Sequence, residues 1–329
     1  MTADNSGRQD GGRDLRITTI TAGLVGLTVL ASCEEPEPIL QGERFGTREV
    51  LSESAAEAAT PANTARAIAL AAPTRNASWA QSPVSPFART GNATLGQALR
   101  PVFSVDIGAG DSRRARINVD PVVADGRIFT MDAEHRVSAV STSGQVLWQK
   151  SMVPARDTAK QAQGGGLAVA GGRLYVASGF GRLSALDATT GNEIWVQELG
   201  DTATGAPTIA GGLVYVTSGD QRGWAIEAED GRIRWQVEGL EDVNNVAGAP
   251  APALSDDSVI FAFGNGSVRS VLRQGGLQLW NADVVGTRTG SALAGVTDIT
   301  GAPVISGGTV YVGNHSGRVV AFRAGSGER

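Results

Sequence analysis

The 329-residue chain holds one cysteine, Cys33, and two histidines, His135 and His315. Thiols and imidazoles most often act as nucleophile, general base or soft metal ligand, so their number and spacing bound the chemistry that is open. One thiol makes no internal disulfide, and there is no C-x-x-C or Cys/His cluster to close a zinc site. His135 and His315 each fall in a short polar segment between two alternating runs, DAEHR and GNHSGR. That is the same slot of a repeated unit and reads as a hairpin tip, not as a base with an orienting partner. No Ser/His/Asp grouping or paired-carboxylate motif accompanies them. Gly164, Gly165 and Gly166 precede a strand pattern and not a helix N-terminus, so they form no phosphate loop. No cofactor or metal follows from these residues. The formal charge of −5, with no basic stripe beyond Arg113, Arg114 and Arg116, argues against nucleic acid as a partner.

Cys33 has a context of its own. Residues 1–16 are polar, with Arg8, Arg13 and Arg16, and lead into a 14-residue uncharged run, 17–30, too short to span a bilayer comfortably. The run ends in Leu30-Ala31-Ser32-Cys33, which is similar to a bacterial lipobox. That resemblance implies residues 1–32 as a signal peptide, cleavage before Cys33, and a diacylglyceryl group on its thiol. Glu34, standing where an inner-membrane retention Asp would be, points to the outer membrane, so the expected location is its periplasmic face, anchored through Cys33. An ordinary secretory signal with an incidental Cys, or a weak membrane anchor, are the alternatives. Residues 33–100 then read as a lipidated tether, rich in Glu, Pro, Ala, Ser and Thr to about residue 96. A wholly flexible tether of this kind reaches about 45 Å.

The remainder, residues 101–329, is organised by a repeat. A Gly turn, two alternating runs joined by a second turn, a further turn ending in Gly, and a run carrying Trp read as strand, hairpin, strand, hairpin, strand. Gly172 to Trp195, Gly212 to Trp235 and Asp257 to Trp280 are each 23 residues apart, and Gly126 to Trp148 is 22. Each Trp follows its turn Gly by four positions: Gly144 and Trp148, Gly191 and Trp195, Gly231 and Trp235, Gly276 and Trp280. Units of roughly 40 to 50 residues built of short strands predict an all-β propeller of four-stranded antiparallel blades. Full repeats are expected at about 120–153, 166–200, 206–237 and 249–285, with a fifth from residue 302. Residues 102–107 read as a lone outermost strand. The next Trp in register falls at position 331, which suggests a sequence that breaks off mid-blade, while a five-bladed ring closed by residues 102–107 is the alternative.

Ala185-x-Asp187-x-x-Thr190-Gly191-x-x-x-Trp195 resembles the tryptophan-docking motif of pyrroloquinoline-quinone-type propellers, in which the Trp of each blade packs on its neighbour. The other copies keep Gly and Trp but drift elsewhere, with Ala225 and Asp230 in one and Ser270 and Gly275 in another. Together with the lipobox and tether, and with residues 38–45 and 75–79, the chain resembles the BamB family, propeller lipoproteins of the outer-membrane β-barrel assembly machinery. That resemblance implies an eight-bladed ring of which about five blades are present here. It also implies no catalysis, companion barrel-assembly lipoproteins, and docking by interblade loops on the POTRA domains of BamA. The matching loop positions are Leu240, Asp242 and Asp298, although Glu241, Asp242 and Asn245 replace a basic character and Thr300 stands where a second Asp would be. The rival readings are a quinone-dependent dehydrogenase and a propeller that binds cell-envelope ligands in its channel. Trp224, outside the repeat register, is either a surface anchor or a filler between blades.

Overall fold

The structure, a computed structural model, describes residues 70–82, 87, 91–219, 221–239, 250–284 and 298–329. Cys33 with Leu30, Ala31 and Ser32, and likewise Leu240 and Asp242, lie outside the described residues.

Paired residues at positive φ open most of the repeats. Asp125 and Gly126 (φ 48° and 71°), Gly171 and Gly172 (57° and 74°), Gly211 and Gly212 (59° and 77°) and Gly307 and Gly308 (56° and 76°) each join two strands. Two consecutive positive φ values are what a two-residue type I′ hairpin requires, and its twist matches that of the flanking strands. The fourth repeat has Asp257 in place of the Gly and closes differently, with Ser258 N–H donating to the Ser255 hydroxyl at 3.2 Å.

These hairpins build five antiparallel sheets among the described residues, each ordered as the chain runs. The first has β1 (Val122–Ala124), β2 (Arg127–Met131), β3 (Arg136–Ser141) and β4 (Val146–Ser151). The second has β5 (Gly165–Ala170), β6 (Arg173–Ser178), β7 (Arg182–Asp187) and β8 (Glu193–Glu198). The third has β9 (Thr208–Ala210), β10 (Leu213–Ser218), β11 (Arg222–Glu227) and β12 (Ile233–Glu238). The fourth has β13 (Ala253–Leu254), β14 (Ser258–Ala262), β15 (Ser267–Leu272) and β16 (Gln278–Asp283). The fifth has three strands, β17 (Val304–Ser306), β18 (Thr309–Gly313) and β19 (Val319–Arg323). These are propeller blades.

In the second and third blades the second and third strands are buried at nearly every position, as in β10 and β7, because neighbouring blades cover both of their faces, whereas β19 of the fifth blade alternates. The fourth strand alternates, as in β8, where Trp195 points inward between exposed Ile194 and Val196. The core is therefore a series of layers between blades. Phe129 and Val137 meet Leu174 and Val176 in one layer, and Tyr175 and Leu183 meet Val214 and Val216 in the next.

Two N-terminal segments differ from expectation. The tether was expected to run to residue 100, yet Trp79 exchanges two main-chain hydrogen bonds with Val123 and Gln81 is bridged to Ala168 on β5. The expected strand at residues 102–107 joins no ladder, because no neighbouring strand flanks it among the described residues. It is held instead by side chains: the Ser138 hydroxyl donates to Ile107 O at 3.2 Å, and the Asp132 carboxylate accepts from Ala109 N–H at 2.8 Å.

Candidate functional site

The Trp and Gly positions come together across blades. A Cβ on Gly191 would stand 2.7 Å from Trp148 Cδ2, one on Gly231 2.7 Å from Trp195, one on Gly276 2.8 Å from Trp235, and one on Gly327 2.7 Å from Trp280. Each indole thus lies flat on the turn of the following blade, and its Nε1–H donates to a carbonyl there. The acceptors are Ala188 O (3.2 Å), Ala228 O (3.1 Å), Arg273 O (3.0 Å) and Ala324 O (2.7 Å), in chain order. Glycine is needed twice over at these turns, for its positive φ (74° at Gly191) and for the bare Cα against the ring. Gly144 of the first blade receives Phe103 in the same way, at 2.9 Å, so Phe103 fills the place that a Trp takes elsewhere.

The remaining motif positions have physical roles. Ala185 is the cross-strand partner of Trp195, and the register shifts directly after it, so a small residue lets the bulge form opposite the indole. Asp187 Oδ1 accepts from Thr189 N–H (2.9 Å), Thr190 N–H (2.7 Å) and the Thr190 hydroxyl (3.0 Å), which shapes the turn that presents Gly191. Those bonds, the Thr190 N–H first, hold the Asp187 carboxyl below the usual carboxylate range. Tyr175 OH donates to the same Ala228 carbonyl as Trp195, at 3.2 Å, and burial pushes its phenol above the ordinary tyrosine range.

The candidate chemical residues do not converge. His135 is 2 % exposed, not a solvent-facing tip. Its Nε2–H donates to Ala162 O at 3.0 Å, and its ring lies 4.8 Å from that of Phe180. His315 is exposed and stands two positions earlier in its own hairpin. His135 N–H donates to Asp132 O as Gly317 N–H does to Asn314 O, which makes Gly317 the counterpart of His135. Among the described residues no group of three His, Cys, Asp or Glu is placed to hold a metal. Trp224 is 5 % exposed, donates to the Ser218 hydroxyl at 2.9 Å and carries Arg222 over its ring, so it fills space within the propeller. Arg113, Arg114 and Arg116 sit on an exposed loop, where Asp111 pairs with Arg116 at 2.6 Å.

Two surfaces remain. Asp298, at the end of the expected docking loop, is 3 % exposed, and its carbonyl accepts from His315 N–H at 2.8 Å, so it anchors the loop's return to the fifth blade. On the inner side a cavity of about 500 Å³ is lined by Ser82, Asn118, Asp120, Gln163, Thr204 and Thr300. No helix among the described residues is long and apolar enough to cross a membrane.

Comparison with known proteins extends the geometry. The chain is similar to the outer membrane protein assembly factor BamB of Alteromonas naphthalenivorans, 30% identical over 237 residues covering 68% of this chain and 56% of that protein. It is also similar to that of Salmonella typhimurium, 31% identical over 233 residues, 69% of this chain and 59% of the relative. The chain thus spans somewhat over half the length of these curated relatives. A stretch of 101 residues is 40% identical to the quinohemoprotein alcohol dehydrogenase ADH IIB of Pseudomonas putida, covering 28% of this chain and 15% of the enzyme. Among solved structures, BamB from Moraxella catarrhalis superposes with a TM-score of 0.55 at 22% identity, over 65% of this chain and 63% of that one. A quinohemoprotein alcohol dehydrogenase from Comamonas testosteroni gives 0.55 at 18%, over 76% and 49%, so both share the fold. The family model described as outer membrane protein assembly factor BamB matches residues 133–329, from the second hairpin of the first blade through the fifth. The chain belongs to the BamB family.

Proposed function

We propose that the protein is a non-catalytic scaffold lipoprotein of outer-membrane β-barrel assembly, held at the periplasmic face of the outer membrane through Cys33 and docked by its interblade loops on the POTRA domains of a BamA-type barrel protein. The observation that carries this reading is that the family match falls on the blades themselves, residues 133–329, and not on a single repeat. Leu240 and Asp242, in the connection between the third and fourth blades, are the proposed contact residues, and buried Asp298 holds the base of the following connection. The quinone-dependent reading has less support, since its curated relative shares 28% of this chain and 15% of the enzyme. The inner edge of the first two blades is also taken by Trp79, Ala80 and Gln81.

The test is affinity purification of the tagged full chain from solubilised membranes, with mass spectrometry of the proteins that accompany it. A POTRA-bearing barrel protein and companion lipoproteins are expected, and their yield should fall when Leu240 is changed to Asp. A quinone or redox carrier in their place would overturn the proposal.

A further inference from the structure

The first strand of a blade has a neighbour on one side only, and on the first two blades the free edge is occupied. Trp79 N–H donates to Val123 O at 2.7 Å and Val123 N–H to Trp79 O at 2.8 Å; one residue on, Val169 N–H donates to Ala80 O at 2.8 Å. Gln81, bridged to Ala168, is 1 % exposed, and its Nε2–H donates to the Thr208 hydroxyl of β9 at 2.7 Å. The Thr208 hydroxyl in turn donates to Pro252 O at 2.7 Å, beside β13. The Ser82 hydroxyl meets the Asp120 carboxylate ahead of β1. Four residues therefore reach the first three blades directly and the fourth through Thr208.

The contacts are of two kinds. The main-chain pairs are open to any extended sequence, as in strand addition to a sheet edge. The side-chain contact is selective. The Thr208 hydroxyl donates to Pro252 O and accepts from Gln81, a role toward its neighbour that a glutamine amide matches and a carboxylate or an alkyl chain does not. We propose that the channel face of the first four blades is a receptor for an extended peptide bearing glutamine, and that residues 79–82 are its resident ligand in cis. A partner segment of the same chemistry competes for the groove, and while the resident is seated it ties the four blades together along their inner edge.

The test is amide hydrogen exchange on the full chain at Val123 and Val169, whose N–H groups bond to the resident segment. Gln81→Glu removes the donor, and losing a buried side-chain bond of this kind is expected to speed exchange at both amides by about tenfold. A synthetic peptide of residues 76–83 at millimolar concentration should restore slow exchange in that variant, and the same peptide carrying Gln81→Glu should not. Where Gln81→Glu does not fold, Thr208→Val and Thr208→Ser decide from the receptor side, the first fast and the second slow. Equal exchange in wild type and all folded variants, or equal action of the two peptides, overturns the proposal.

Discussion

Gly231 and Trp195 offer the sharpest check on the packing argument, because their contact joins two blades and can be tested as a cycle. Trp195 is 9 % exposed, and its ring lies on Gly231 with Nε1–H on Ala228 O. Truncating such an aromatic to Ala costs about 3 to 5 kcal/mol. Gly231→Ala has two costs. At φ 78° a Cβ is disfavoured by about 1 to 2 kcal/mol whatever surrounds it. The new methyl would also stand 2.7 Å from Trp195 Cδ2, and relieving that overlap costs about 1 to 3 kcal/mol more. The second cost disappears when Trp195 is already Ala. The double variant should therefore be more stable than the sum of the single changes by about 1 to 3 kcal/mol. Urea unfolding followed by far-UV circular dichroism, run on all four proteins, measures this. Additivity within about 0.5 kcal/mol would show that the ring and the glycine do not press on each other, and the docking account would fail.

Three further outcomes follow from the same geometry. Phe103→Ala should lower stability by about 1 to 3 kcal/mol, less than a Trp truncation because Phe103 is 37 % exposed, and an unchanged melting temperature would show that it does not substitute for a docking Trp. The Asp187 carboxyl has a folded pKa below its unfolded value, so its stabilising effect is present above the ordinary 3.8 and is lost as pH falls through the depressed folded value. Asp187→Asn should accordingly flatten the acid limb of the stability–pH curve below about pH 4, and identical limbs would contradict the turn assignment. Cys33→Ser should leave a protein without an acyl adduct by mass spectrometry, recovered in the periplasm or with its signal uncleaved; an acylated protein still in the outer membrane would sink the lipobox reading.

The blades were legible because their signals are local. Turn glycines, alternating runs and a Gly-to-Trp interval of four all fall within one repeat. What that interval cannot show is that the two residues of a pair do not touch each other, since Gly191 receives Trp148 and Trp195 goes to Gly231. The hairpins of His135 and His315 look alike in sequence, and the matching turn bonds, with φ of 60° at His135 and 84° at Gly317, reveal the offset of two. The inner segment was not legible at all. A stretch as short as Trp79–Gln81 has no periodicity, and the partner of Gln81 is 127 residues away. Phe103 could have been found by its place in an outer-strand pattern, where an aromatic was due. The loop carrying Leu240 and Asp242 was picked by resemblance and lies outside the described residues.

Which motif positions drift then follows from which contacts are rigid. Gly and Trp recur because an indole lying 2.7 to 2.8 Å from a Cβ position leaves no room for any side chain. Thr190 gives way to Asp230 and Gly275 because its work, bonding the turn locally, can be done by other groups, as Asp230 does by accepting from Arg232 N–H at 3.0 Å. The segments that lead into and out of the blades are anchored at separate points. Asp132 accepts from Ala109 N–H on one, and Asn314 Nδ2–H donates to Val284 O on another, both at fixed places in the second hairpin. Between such anchors the docking contacts set no residue identity. A surface built from those connections can therefore change its charge while the blades stay the same.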